Sequence, residues 1–90
     1  MTLTSPLVEL RWVPDCPNVD RVRRELLAVL AELDLTLEVE ERVGDYPSPT
    51  VVVDGLDVVT HETPQPGPSC RLDLPTHAQL VAALRTADPR

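Results

Sequence analysis

Phenylalanine and lysine are absent from this chain, and Trp12 and Tyr46 are its only aromatic residues. A core made with so few large rings must be built from Leu, Val and Ala. All eight basic residues are Arg, set against 15 Asp and Glu, for a formal net charge of −7. Nucleic-acid binding needs a basic footprint and often stacking rings, so this composition argues against it. The same acidity argues against anionic membrane surfaces. No apolar run approaches the roughly 18 residues of a spanning helix. Met1–Pro6 lacks the basic and long apolar regions of a signal peptide, so the expected location is cytoplasmic. Cysteine is scarce as well, with only Cys16 and Cys70. In a reducing compartment, such cysteines point to catalysis, metal binding or an inert role before a structural staple.

Ninety residues make one domain, residues 1–90 with a core at about 7–85, and leave no room for a second core. A chain of this size buries about 60–65% of its unfolded surface, which lets it fold alone with little margin. Leu7 to Val13 reads as a strand whose Val8, Leu10 and Trp12 share one apolar face, and Pro14 stops it. After Cys16 the spacing of Val19, Val22, Leu26, Leu30 and Leu33 is that of one helical face, widened by Leu27 and Val29. Pro17 suits a first turn, where its missing N–H costs nothing, and Asn18 is an alternative N-cap.

Thr36 to Val43 alternates like a half-exposed edge strand, and Gly44 to Pro49 is turn-rich. Val51 to Val53 forms a buried strand. Asp54-Gly55 is the strongest hairpin signal, with Leu56 to Thr60 returning. Four prolines between His61 and Pro75 exclude regular helix over most of that segment. Leu72 and Leu74 mark a short extended piece inside it. Thr76 and Gln79 make a capping box for a last helix to about Arg85 that buries Leu80, Val81 and Leu84. The order is βαβ followed by ββα: an α/β fold with a four-stranded mixed sheet and helices packed on it.

Cys16 stands where the first strand hands over to a helix. The unpartnered N–H groups and the helix dipole there favour a thiolate over a thiol. Such a sulfur is ready to be a nucleophile or a soft-metal ligand; the plain alternative is a small buried apolar residue. Asp15 next door opposes the effect, and Arg21, Arg23 and Arg24 oppose Asp15. No zinc spacing joins Cys16 and Cys70 to His61 and His77, so no metal site is assigned. Two thiolates alone suit Cu(I) or Hg(II) better. Tyr46 either flanks the site or covers core.

This arrangement resembles the thioredoxin-fold superfamily over about residues 7–85. Cys16-Pro17-Asn18-Val19 stands in the place of the family's Cys-x-x-Cys or Cys-x-x-Ser motif. Ser48-Pro49-Thr50 stands in the place of its cis-proline loop, which faces the active cysteine and exposes backbone to an extended substrate. More narrowly, the stretches Asp-Cys-Pro-Asn, Tyr-Pro-Ser-Pro-Thr-Val-Val-Val-Asp-Gly and Ser-Cys-Arg-Leu resemble small bacterial thioredoxin-like proteins, some named alkylmercury lyase-like. Two departures stand out. Val19 replaces the resolving cysteine, and only Gly44 to Ser48 separates the second and third strands, where full thioredoxins place a helix.

The resemblance implies a thiol–disulfide oxidoreductase with Cys16 as nucleophile and Pro17, Ser48, Pro49 and Thr50 contacting substrate. Pro49 is implied to be cis, and Ser48 to offer backbone groups or a hydroxyl. Either Cys70 or an external thiol such as glutathione then resolves the mixed disulfide. Pairing with Cys70 needs Cα atoms within roughly 7 Å; an unrelated loop cysteine is the alternative. The implied partners are protein or small-molecule thiols and disulfides, with no cofactor. Two other classes stay open: a soft-metal or organomercurial thiol-binding protein, and a non-catalytic interaction domain.

Overall fold

The computed structural model describes residues 7–65, 67 and 69–87; the expectations for Met1–Pro6, Pro66 and Pro68 lie outside the described residues. In chain order the elements are β1 (Val8–Trp12), α1 (Val19–Glu32), β2 (Val39–Val43), β3 (Pro47–Ser48), β4 (Thr50–Val53), β5 (Leu56–Asp57), β6 (Ser69–Cys70) and α2 (His77–Ala87). A four-stranded mixed sheet runs in the order β2-β1-β4-β5, and β3 pairs with β6 in a separate two-stranded sheet. β1 is central, parallel to β2 through α1 and antiparallel to β4. β2 lies at the edge, and four of its five residues are exposed. Among the described residues, no helix is long and apolar enough to cross a membrane.

The pleat sends alternate residues to opposite sheet faces. Val8 pairs with Val53 and Leu10 with Val51, so these four share one face. They join Val22, Leu26 and Leu30 of α1 and Leu80 and Leu84 of α2 in a single core. Leu27, expected to widen the α1 face, is 51% exposed instead; the buried stripe runs through Val22, Leu26, Val29 and Leu30. The α1 helix stops where Asp34 turns left-handed at φ 55. Asp34 N–H then bonds Ala31 O at 3.1 Å and Leu35 N–H bonds Leu30 O at 2.9 Å, the pairings of a Schellman end.

The other sheet face is polar. Glu9 is 3% exposed and is held by Arg42 at 2.6 Å and Arg11 at 3.3 Å. The Arg11 guanidinium lies 5.1 Å from the Tyr46 ring centre, so Tyr46 covers this ion pair. Unpaired burial of a carboxylate would be costly; two guanidinium partners make it tolerable.

Asp54 and Gly55 have φ of 51 and 86, the pair of positive values that a type I′ hairpin requires. Boundaries in the second half of the chain differ from the sequence reading. The returning strand ends at Asp57 rather than Thr60, because Asp57 Oδ1 accepts the Val59 N–H at 2.8 Å and Asp57 O accepts the His61 N–H at 2.8 Å, closing a turn. The extended piece in the proline-rich segment is Ser69–Cys70, not 71–74; Leu72 is 95% exposed while Arg71 turns inward. The capping box does form, Thr76 N–H to Gln79 Oε1 at 2.9 Å and Gln79 N–H to Thr76 Oγ1 at 3.1 Å.

Candidate active site

Asn18 is the N-cap of α1 and makes no side-chain capping bond, so Cys16 and Pro17 precede the helix instead of forming its first turn. Cys16 is 8% exposed and belongs to the core cluster. It also lines an open groove of about 240 Å³ with Trp12, Pro17, Val19, Asp20 and Arg23. Cys16 is therefore packed into the core while lining a groove that is open to solvent.

Across from it runs the Ser48-Pro49 peptide, whose bond is cis. Ser48, Pro49 and Thr50 are all fully buried. As a thiol, Cys16 Sγ donates to Ser48 O at 3.5 Å. The Ser48 hydroxyl is buried without a partner of its own. Burial of the sulfur is the largest influence on the Cys16 pKa and pushes it up. The Ser48 side chain, the Cys70 thiol and the Asn18 backbone N–H together outweigh burial and hold the pKa below the ordinary 9.0. In exchange the Cys70 pKa is raised, first through its hydrogen bond to Cys16. Cys16 is thus the sulfur that ionises first, with Cys70 S–H as a donor to it. Both thiols are free, Cys16 buried and Cys70 exposed.

Cys70 reaches Cys16 because β6 pairs in parallel with β3, matching Ser48 to Cys70 and Pro47 to Ser69. The Arg71 N–H bonds Ser48 O at 2.7 Å. The Arg71 side chain is 9% exposed and ion-paired with Asp57 Oδ2 at 2.6 Å, itself 6% exposed. It also donates to Thr50 Oγ1 at 3.0 Å and grips Asp73 through two nitrogens, at 3.1 and 2.7 Å.

Several expectations change at this level. Thr50 does not face Cys16: its hydroxyl is taken by Pro47 O at 2.6 Å and by Arg71. Asp15 is exposed and is not among the groups that shift Cys16; solvent screens it. Arg23 gives Cys16 no help either, being bound to both Glu41 oxygens at 2.8 Å and to Asp20. It lies 5.7 Å from the Trp12 ring centre and forms a groove wall. His77 stands between Glu25 at 3.0 Å and Glu32 at 3.2 Å, away from both sulfurs. Among the described residues, no three His, Cys, Asp or Glu side chains are placed so that they could hold a metal ion. Arg71 and Asp57 were missed as site residues; their lone signal was the Cys70-Arg71 adjacency.

No protein-family model, no curated protein and no solved structure matches this chain.

Proposed function

We propose that this protein is a thioredoxin-like thiol–disulfide oxidoreductase in which Cys16 is the nucleophile and Cys70 the resolving thiol. One observation carries the reading: two free thiols far apart in sequence meet beside the Ser48-Pro49 peptide, one buried against it and the other delivered by β6. The sheet order β2-β1-β4-β5, with α1 crossing between parallel β1 and β2, supports the thioredoxin-like assignment.

In the forward step the Cys16 thiolate attacks one sulfur of a substrate disulfide. A Cys16–substrate S–S bond forms, the substrate S–S bond breaks, and the leaving thiolate takes a proton. Cys70 then loses its proton and attacks the Cys16 sulfur. This forms the Cys16–Cys70 disulfide and releases the second substrate thiol. Two electrons and two protons pass from the protein dithiol to the substrate, and an external low-molecular-weight thiol restores the dithiol. The cytoplasm, with its reducing poise, is the compartment we propose for this cycle.

Disulfide-reductase assays on the wild type, Cys16→Ser and Cys70→Ser proteins test this. The wild type is expected to be active, Cys16→Ser inactive, and Cys70→Ser to accumulate a mixed disulfide at Cys16 visible by mass spectrometry. Activity retained in Cys16→Ser would overturn the reading. Paired sulfurs also support a second reading, capture of a two-coordinate thiophilic ion. That reading requires one Cu(I) or Hg(II) per chain, lost on removal of either thiol.

A further inference from the structure

Ser69 and Cys70 are exposed, yet Arg71, the next residue, anchors them as a core element would be anchored. Neighbouring residues of a strand point to opposite sides. Cys70 can therefore turn to the Cys16 sulfur while Arg71 turns to the polar face of the main sheet, where Asp57 and Thr50 bind its guanidinium. Asp57 comes from β5 and Thr50 from β4, so one side chain ties the segment to two strands. On the backbone, Ser48 O is taken by Arg71 N–H, and β6 fills the hydrogen-bonding edge of β3. No second polypeptide can add at that edge while β6 is in place. Among the described residues this leaves the groove of Trp12, Pro17 and Arg23 as the approach to Cys16.

We infer that Arg71 is a positioning residue that clamps β6 as a built-in strand, setting Cys70 on Cys16 and restricting the site to low-molecular-weight disulfides. The inference rests on the oxidoreductase reading and names its substrate class. Removing the clamp frees β6, which separates the two thiols and uncovers the Ser48 edge for an extended chain.

Wild type, Arg71→Ala and Asp57→Asn are compared in two arms, with circular dichroism to establish that each is folded. Asp57→Asn keeps the oxygen that accepts the Val59 N–H and so serves where Arg71→Ala does not fold. The first arm measures kcat/KM for hydroxyethyl disulfide and for insulin. The wild type is expected to favour the small disulfide by about 100-fold or more, and the variants to narrow that ratio at least about tenfold. The second arm, which needs no turnover, measures the equilibrium constant for the Cys16–Cys70 disulfide in a glutathione redox buffer. It is expected to fall about tenfold or more when the clamp is lost, because the effective concentration of one thiol at the other drops. Equal wild-type activity on both substrates, or folded variants with unchanged ratio and equilibrium constant, would overturn the inference. A wild type that reduces neither substrate removes the oxidoreductase reading and the substrate class with it. In that case the second arm still decides whether Arg71 positions Cys70.

Discussion

Ser48 bears on the Cys16 sulfur through two opposed groups. Its carbonyl accepts from the thiol at 3.5 Å and so favours the protonated form, while its side chain, whose buried hydroxyl has no other partner, lowers the Cys16 pKa. The hydroxyl and the other donors prevail over burial, since the net shift of Cys16 is downward. Ser48→Ala leaves the carbonyl in place and removes the donor. The Cys16 pKa is then expected to rise towards 9.0. Iodoacetamide alkylation followed against pH reads this as an upward move of the midpoint, with Cys70 followed separately by peptide mapping. An unmoved midpoint would mean that Asn18 N–H and Cys70 suffice. Asp15 next to Cys16 illustrates the converse: adjacency in sequence carried no electrostatic weight once the carboxylate was exposed.

At the level of elements, the two helices are joined at one end by a polar clasp. His77, the first residue of α2, is bracketed by Glu25 and Glu32 of α1. Its pKa is raised above 6.5, chiefly by the hydrogen bond to Glu25 and then by the charge of Glu32. A folded-state pKa above the unfolded one means that protonation favours the fold. The contribution is fully present below 6.5 and is lost as pH rises through the raised folded value. Urea midpoints of the wild type and His77→Gln are expected to differ most near about pH 6 and to converge by about pH 9. A constant difference across that range would show that His77 acts by packing. The β3–β6 pair is the opposite kind of element: two residues per strand, too short to stand by pairing alone and dependent on Arg71.

For the molecule as a whole, the oxidised and reduced states should differ in stability as well as reactivity. A Cys16–Cys70 disulfide would tie the start of α1 to the segment before α2, closing most of the chain into one loop. In the chain-entropy model such a loop stabilises the fold by about 4 kcal/mol. Urea unfolding after oxidation with diamide is expected to show a gain of that order, abolished in Cys70→Ser; no gain would mean that bridging distorts the site. The polar sheet face bears on stability too. With neither helix in that core layer, the face relies on Glu9–Arg42 and Asp57–Arg71, so its cover is electrostatic where the opposite face is apolar.

Local chemistry determined much of this protein in advance. Hydrophobic period gave β1, β4 and the buried stripe of α1; Asp54-Gly55 gave the hairpin; Thr76 and Gln79 gave the start of α2. Each of these depends on neighbours within a few residues, which is why the sequence carries it. The sequence also singled out Cys16, and a family resemblance alone set Ser48 and Pro49 beside it. What only the tertiary structure decided was the partner for each buried charge and thiol. The inward turn of Arg71, the ion pairs of Glu9, the commitment of Thr50 to Arg71 and the arrival of Cys70 beside Cys16 all join residues from separate elements. Ion pairs and thiol contacts act over a few ångströms in space, and a one-dimensional pattern does not encode that separation until the sheet has set its register.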